Sequence, residues 1–284
     1  HRQGGGLPGG DRREMKRESF LGIYRERVFS PGKVRDDAAI LDETLEELSS
    51  MGFRVDAVRG EALDGSVPRP SRVLTMAQSP PALALLESWV SLGTRVINSV
   101  DSIRTCYRKP LSRALDGAGL PVPPSRIVPL DEALEEISLL PSTPVWLKRG
   151  DVHAVREGDV VSVSSREELS RALEHFRRHK VGELLVQGHV EGPVVKFYGV
   201  GRGDYFVAFL ASTGEDVTPR VAETLGPVAQ RAAGAVGLDV YGGDAVLTGN
   251  GSIALIDLND WPSFSRCRRS AARNIALYLQ GKAP

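Results

Sequence analysis

Apolar positions in this chain repeat with two periods, and the switches between them mark out its elements. Residues 20–24 read as a strand. Residues 36–50 then place Ile40, Leu41, Leu45 and Leu48 at helical spacing, and Gly52 ends the run. Strands are expected at 53–58 and 73–76, and a helix at 81–92. Alternating strand and helix predicts an α/β lobe with a largely parallel sheet. A helix is expected over 101–118, with a break near Pro110. Pro121 to Pro124 is extended and leads to a strand at 125–128, a short helix at 131–137, and strands at 145–148 and 159–163. Leu169, Leu173 and Phe176 share one face of a helix over 166–178. Strands at 183–187, 194–200 and 205–211 and a helix at 220–236 precede a final hairpin. The last helix is expected over 265–279. The pattern thus predicts a parallel α/β lobe, a small α/β lobe from about Pro123, and then an antiparallel sheet with helices.

The final hairpin carries the clearest chemistry. Its strands run from Asp239 to Leu247 and from Ile253, joined by Thr248-Gly249-Asn250-Gly251-Ser252. The second strand reads Ala254-Leu255-Ile256-Asp257-Leu258-Asn259, followed by Asp260-Trp261-Pro262. Residues two apart in a strand share a face, so Asp257 and Asn259 point together. If Thr248 pairs with Ile253, Asp244 falls opposite Asp257. Like charges so placed repel, and a divalent cation would turn the repulsion into a site. Oxygen donors of this kind suit Mg²⁺, with Mn²⁺ as the alternative. The same Asp-x-Asn would also serve as an Asx turn closing the strand.

Composition narrows the classes. The 36 basic and 36 acidic side chains cancel, which argues against a general nucleic-acid binder. No apolar run approaches the roughly 18 residues that span a membrane. Residues 1–13 are Gly-rich and polar without an apolar signal core, so residues 1–18 are expected to be a disordered extension, and Met15 is a more natural start. The two cysteines, Cys106 and Cys267, are expected to be reduced thiols in a cytoplasmic protein.

From Asn98 onward the chain resembles the ATP-grasp superfamily, near its glutamate-ligase-like and inositol-phosphate-kinase-like branches. Asn98-Ser99, a helix bearing Arg108-Lys109, then Leu115, Gly119 and Pro121 to Pro124, look like the family's central linker. Val145-Trp146-Leu147-Lys148 resembles the strand that supplies a second ATP lysine. Leu184 to Gly192 is similar to the hinge that binds adenine, and Val195 to Gly201 to the next strand, which carries a basic residue. The resemblance implies an ATP-grasp fold, mixing α/β and α+β, with an N-terminal α/β domain at 19–97 and an ATP-grasp domain at 98–284. The latter divides into a central lobe at about 123–187 and a C-terminal antiparallel-sheet lobe at about 188–284.

The resemblance further implies that Lys109, Lys148, Gln187, His189 and Val190 bind ATP. It implies that Asp244, Asp257 and Asn259 bind Mg²⁺, and that Lys196, near the acceptor, is a catalytic residue. Two departures stand out. The loop Arg149-Gly150-Asp151-Val152-His153-Ala154 is short and charged where the family often has a Gly-rich phosphate loop, and the first metal position is Asp rather than Glu. Read without the family, Lys148 and Lys196 would be ordinary strand lysines with hydrated heads, and His153 an ordinary loop histidine.

An anionic acceptor is suggested by two basic groups. Arg266, Arg268, Arg269 and Arg273 crowd the start of the last helix, where cations are disfavoured unless they serve a purpose. Arg266, Arg269 and Arg273 share a face by spacing. Arg25, Arg27, Lys33 and Arg35 surround a loop after the first strand, where open α/β sheets bind ligands. Arg25, Lys33, Arg266 and Arg269 are therefore the candidate acceptor ligands, with Arg269 beside Lys196 as a catalytic candidate; a solvated basic face is the plainer account of the arginines. The expected acceptor is a carboxylate or a phosphorylated polyol. A carboxylate–amine ligase working through an acyl phosphate is placed ahead of an inositol-phosphate-type kinase, and both ahead of a non-catalytic ATP-binding regulator.

Overall fold

The structure is a computed structural model, and it describes residues 18–137, 144–151 and 156–281. The expectations for residues 1–17 and for His153 lie outside those residues.

The first lobe is a four-stranded parallel sheet. Its strands are β1 (Ser19–Tyr24), β2 (Arg54–Arg59), β3 (Arg72–Thr75) and β4 (Arg95–Ile97), in the order β2-β1-β3-β4. Helix α1 (Val34–Ser50) covers one face with Ile40, Leu41, Leu45 and Leu48. Helices α2 (Pro80–Ser91) and α3 (Val100–Thr105) cover the other. Ser79 caps α2 by accepting from the Ala82 amide, and the prolines that follow occupy the first turn, where no amide partner is lost.

The helical stretch expected over 101–118, with its break, is two helices, α3 and α4 (Arg108–Gly117). The chain breaks at Cys106 and Tyr107, just before Pro110. A proline ring clashes with the carbonyl four residues earlier, here that of Cys106, so Pro110 can sit only in the first turn of a new helix.

The central lobe is an antiparallel sheet of β5 (Ser125–Pro129), β6 (Val145–Arg149), β7 (Val160–Val163) and β8 (Glu183–Gly188), in the order β5-β8-β6-β7. Two helices, α5 (Ala133–Ile137) and α6 (Arg166–Arg178), close its core through Ala133, Leu169, Leu173 and Phe176.

The third sheet contains β9 (Val194–Val200), β10 (Tyr205–Leu210), β11 (Val240–Leu247) and β12 (Ile253–Asp260), in the order β10-β9-β11-β12 and antiparallel throughout. Helix α7 (Pro219–Val236) and α4 pack on one face. The last helix, α8 (Arg268–Gly281), packs on the other, and Ala271, Ala272, Ile275 and Leu279 share one core with α1. The layer formed by α1 and α8 therefore joins the first sheet to the third. Asn98 pins the same junction: its side-chain amide donates to the Val240 carbonyl at 2.7 Å and accepts from the Asp239 and Val240 amides. Both cysteines are free thiols, and no helix among the described residues is long and apolar enough to cross a membrane.

Candidate active site

Three adjacent strands set out a row of charges. Asp244 on β11 lies opposite Asp257 on β12 and, on its other side, opposite Lys196 on β9. The hairpin closes with Leu247 opposite Ile253, one residue away from the expected register. A bulge then leaves Ile256 unpaired and restores the Asp244–Asp257 pairing. The two carboxylates thus face each other, but the extra residue brings this about rather than a regular ladder. Gly243 lets the strands approach: a Cβ there would run into the Asp257 carbonyl oxygen and come within 2.5 Å of the Phe197 ring.

Each carboxylate has a cation beside it. The Lys196 ammonium donates to Asp244 Oδ1 at 3.0 Å, and an Arg108 guanidinium nitrogen donates to Asp257 Oδ1 at 3.1 Å. Burial pulls the Lys196 pKa down, but the Asp244 charge and hydrogen bond outweigh it, and the net shift is upward. Lys148 reaches from β6, buried, with its ammonium donating to the Ile256 carbonyl at 3.3 Å. Burial lowers its pKa below the ordinary 10.5, Arg108 adds to the effect, and Asp257 and Asp244 oppose it.

Behind this group, Gln187, Leu185, Leu111, Leu115 and Leu255 line a narrow slot of about 30 Å³ that reaches Arg108 and Asp257. His189 and Val190 do not line it. Trp146 Nε1 donates to His189 Nδ1 at 3.1 Å, which leaves the His189 proton on Nε2, 3.3 Å from Glu191. Lys109 turns aside and pairs with Glu183 on β8 at 2.7 Å.

In front lies a cleft of about 310 Å³ that gathers Lys196, Asp244, Asp257 and Asn259 with Arg25 and Lys33 of the first lobe. Arg25 is committed to the fold. Its guanidinium donates to the Asp260, Trp261 and Met76 carbonyls and sits 3.5 Å from Asp37. Lys33 is exposed and makes no ion pair among the described residues. Asp260 and Gln78 also line the cleft. Gln78 Nε2 donates to the buried Asp260 carboxylate at 2.9 Å, and burial raises that carboxyl's pKa despite Arg25 nearby.

The basic helix is different from the expectation. Helix α8 begins at Arg268, so Arg266 precedes it and does not share a helical face with Arg269 and Arg273. Arg266 donates to the Gly214 carbonyl at 3.4 Å, and Arg268 pairs with Asp36 at 2.9 Å. Arg266 and Arg269 are exposed and do not line the cleft.

Arg108, Gln78 and Asp260 were not singled out by the sequence as ligands. For Arg108 a signal existed. It lies three and seven residues before the buried Leu111 and Leu115, on the face turned to the slot, whereas Lys109 lies about 100° round the helix.

The oxygen set formed by Asp244, Asp257 and Asn259 suits a hard divalent cation. Among the described residues no three His, Cys, Asp or Glu side chains form a metal group, so two carboxylates and an amide are what the protein offers. The Arg108 Nε is buried without a hydrogen-bond partner, which fits an anionic group at this point.

No family model and no curated protein matches the sequence. Solved structures do match it. A RimK domain ATP-grasp protein from Sphaerobacter thermophilus superposes with a TM-score of 0.72 at 21% identity, over 92% of this chain and 100% of that one. This chain has the ATP-grasp fold. The VanG D-Ala:D-Ser ligase from Enterococcus faecalis matches this chain with a TM-score of 0.71 at 14% identity, over 93% of this chain and 100% of the ligase. The D-alanine–D-alanine ligase from Bacillus anthracis, solved with ATP, matches with a TM-score of 0.70 at 13% identity, over 93% and 95%.

Proposed function

We propose that this protein is an ATP-dependent ligase that uses Mg-ATP to activate a small carboxylate and joins it to an amine. The observation that carries the reading is the charge row Lys196–Asp244–Asp257, set between a slot reaching Arg108 on one side and an open cleft on the other. Asp244, Asp257 and Asn259 would hold Mg²⁺. Arg108 and Lys148 would hold phosphate, Arg108 through its planar fork and Lys148 as a point charge. Bound Mg-ATP would supply the phosphoryl group that turns a carboxylate into an acyl phosphate, with its charge met by the metal and by fixed cations.

The cleft argues for a carboxylate rather than a phosphorylated polyol. Arg25 is occupied by three carbonyls, and Arg266 and Arg269 lie outside, so Lys33 and Lys196 are the cations left to the acceptor end. That number suits a single carboxylate. The ligase names of two structural neighbours point the same way.

Hydroxylamine provides the test, because it intercepts acyl phosphates as hydroxamates. With ATP, Mg²⁺ and pools of small carboxylates, carboxylate-dependent hydroxamate and ADP are expected together. ADP formed with a phosphorylated polyol and no hydroxamate would replace the ligase with a kinase. Nucleotide binding with no turnover on any pool would favour the regulator.

A further inference from the structure

Lys196 and Arg108 pair with two facing carboxylates, but the two cations are built differently. The Arg108 side chain is 5% exposed and fixed in the first turn of α4. The Lys196 side chain is 48% exposed and ends in a compact charge on a flexible stem. A divalent ion on Asp244 would repel an ammonium only 3.0 Å from the same carboxylate. Lys196 is free to swing away from such an ion, whereas Arg108 could move only by opening a buried pocket.

We propose that Lys196 is the resident counter-cation of Asp244, displaced by a divalent metal on binding, so that metal entry releases its ammonium to the anionic groups of the cleft. Lys196 thereby acts as a positioning residue before it meets any substrate. Without metal it quiets the repulsion between Asp244 and Asp257. With metal it becomes a mobile cation in the compartment that receives the acceptor. The inference rests on reading Asp244 and Asp257 as the metal pair.

The test is Mn²⁺ binding to the purified protein without nucleotide, followed by the electron paramagnetic resonance signal of the free ion. Lys196→Met is expected to bind Mn²⁺ about fivefold more tightly than wild type, the worth of one half-exposed ion pair. Lys196→Arg keeps both the charge and the pairing, and should bind as wild type does. Lys33→Met removes a cleft cation that is not paired with Asp244, and should change affinity less than Lys196→Met. Equal affinity for Lys196→Met and wild type would overturn the proposal. So would an equal gain for Lys33→Met, which would make the effect a general field. If Asp257→Asn binds Mn²⁺ as well as wild type, or if no variant binds it, the metal pair itself is misread and the inference falls with it. A mass-spectrometric footprint gives a second reading: acylation of Lys196 should rise when Mn²⁺ is added, and no change would count against displacement.

Discussion

Replacing Lys148 by Met separates function from stability at one position. Met keeps the length of the stem and removes the charge. In the unliganded protein the Lys148 ammonium is buried and donates to one carbonyl, that of Ile256, at 3.3 Å. Asp257 keeps Arg108 as its partner when Lys148 is gone. Exchanging a buried, poorly compensated charge for an apolar side chain of similar volume is commonly neutral or stabilising, so the unliganded variant should gain between zero and about 1 kcal/mol. Nucleotide binding should move the other way. Loss of one charge-assisted hydrogen bond costs about 1.5–3 kcal/mol, or roughly 10- to 150-fold in Kd.

The pH dependence follows from the lowered Lys148 pKa. Below the folded-state value the burial cost is fully present. As pH rises from there toward the ordinary 10.5, the folded state gives up its proton before the unfolded state does, and the cost is relieved. The stability advantage of Lys148→Met should therefore shrink as pH rises through that window. Urea unfolding near neutral and at alkaline pH, with calorimetric titration of ATP, measures both quantities. A loss of more than about 1 kcal/mol without ligand, together with unchanged ATP affinity, would make Lys148 a structural residue and refute the reasoning.

Other substitutions probe separate parts of the site. Asp257→Asn should cut turnover by at least about a hundredfold while circular dichroism stays that of wild type; turnover retained at saturating Mg²⁺ would contradict its role. Gly243→Ala forces a Cβ against Asp257 and Phe197 and should cost about 1–3 kcal/mol in urea unfolding, with weaker metal binding because the strands must part. Lys33→Ala should raise the acceptor KM several-fold with little effect on the ATP KM, whereas Arg269→Ala, outside the cleft, should change neither by more than about twofold. A larger effect at Arg269 than at Lys33 would put the acceptor against α8.

The long periodic elements were legible because burial imposes its period on the sequence. Ile40, Leu41, Leu45 and Leu48 show the α1 face directly, and the three lobes follow from the order of elements. The three-residue β4 was missed because it is too short to show a period. The α3–α4 break was expected near Pro110, and it falls at Cys106 and Tyr107 because the steric conflict lies on the residue four positions before the proline. The Asp244–Asp257 pairing was expected from a regular register. It arises through a bulge at Ile256, an apolar residue with no turn signal of its own. In the site, the charges were visible but their directions were not. Of the adjacent pair Arg108 and Lys109, only tertiary packing shows which one meets Asp257. Arg25 lines the cleft, but nothing in its sequence surroundings forecasts that the carbonyls of Asp260 and Trp261, more than two hundred residues away, hold its guanidinium.

The central claim is that phosphate from ATP activates a carboxylate for attack by an amine. The most direct measurement is the mass of the product formed with Mg-ATP from pools of small carboxylates and amines, with the oxygen between the reacting carboxylate and the released phosphate followed by isotope. The account predicts a condensed product one water lighter than its two parts, ADP in equal amount, and transfer of one carboxylate oxygen to phosphate. A phosphorylated product that retains all its oxygens, with no condensation, would contradict it.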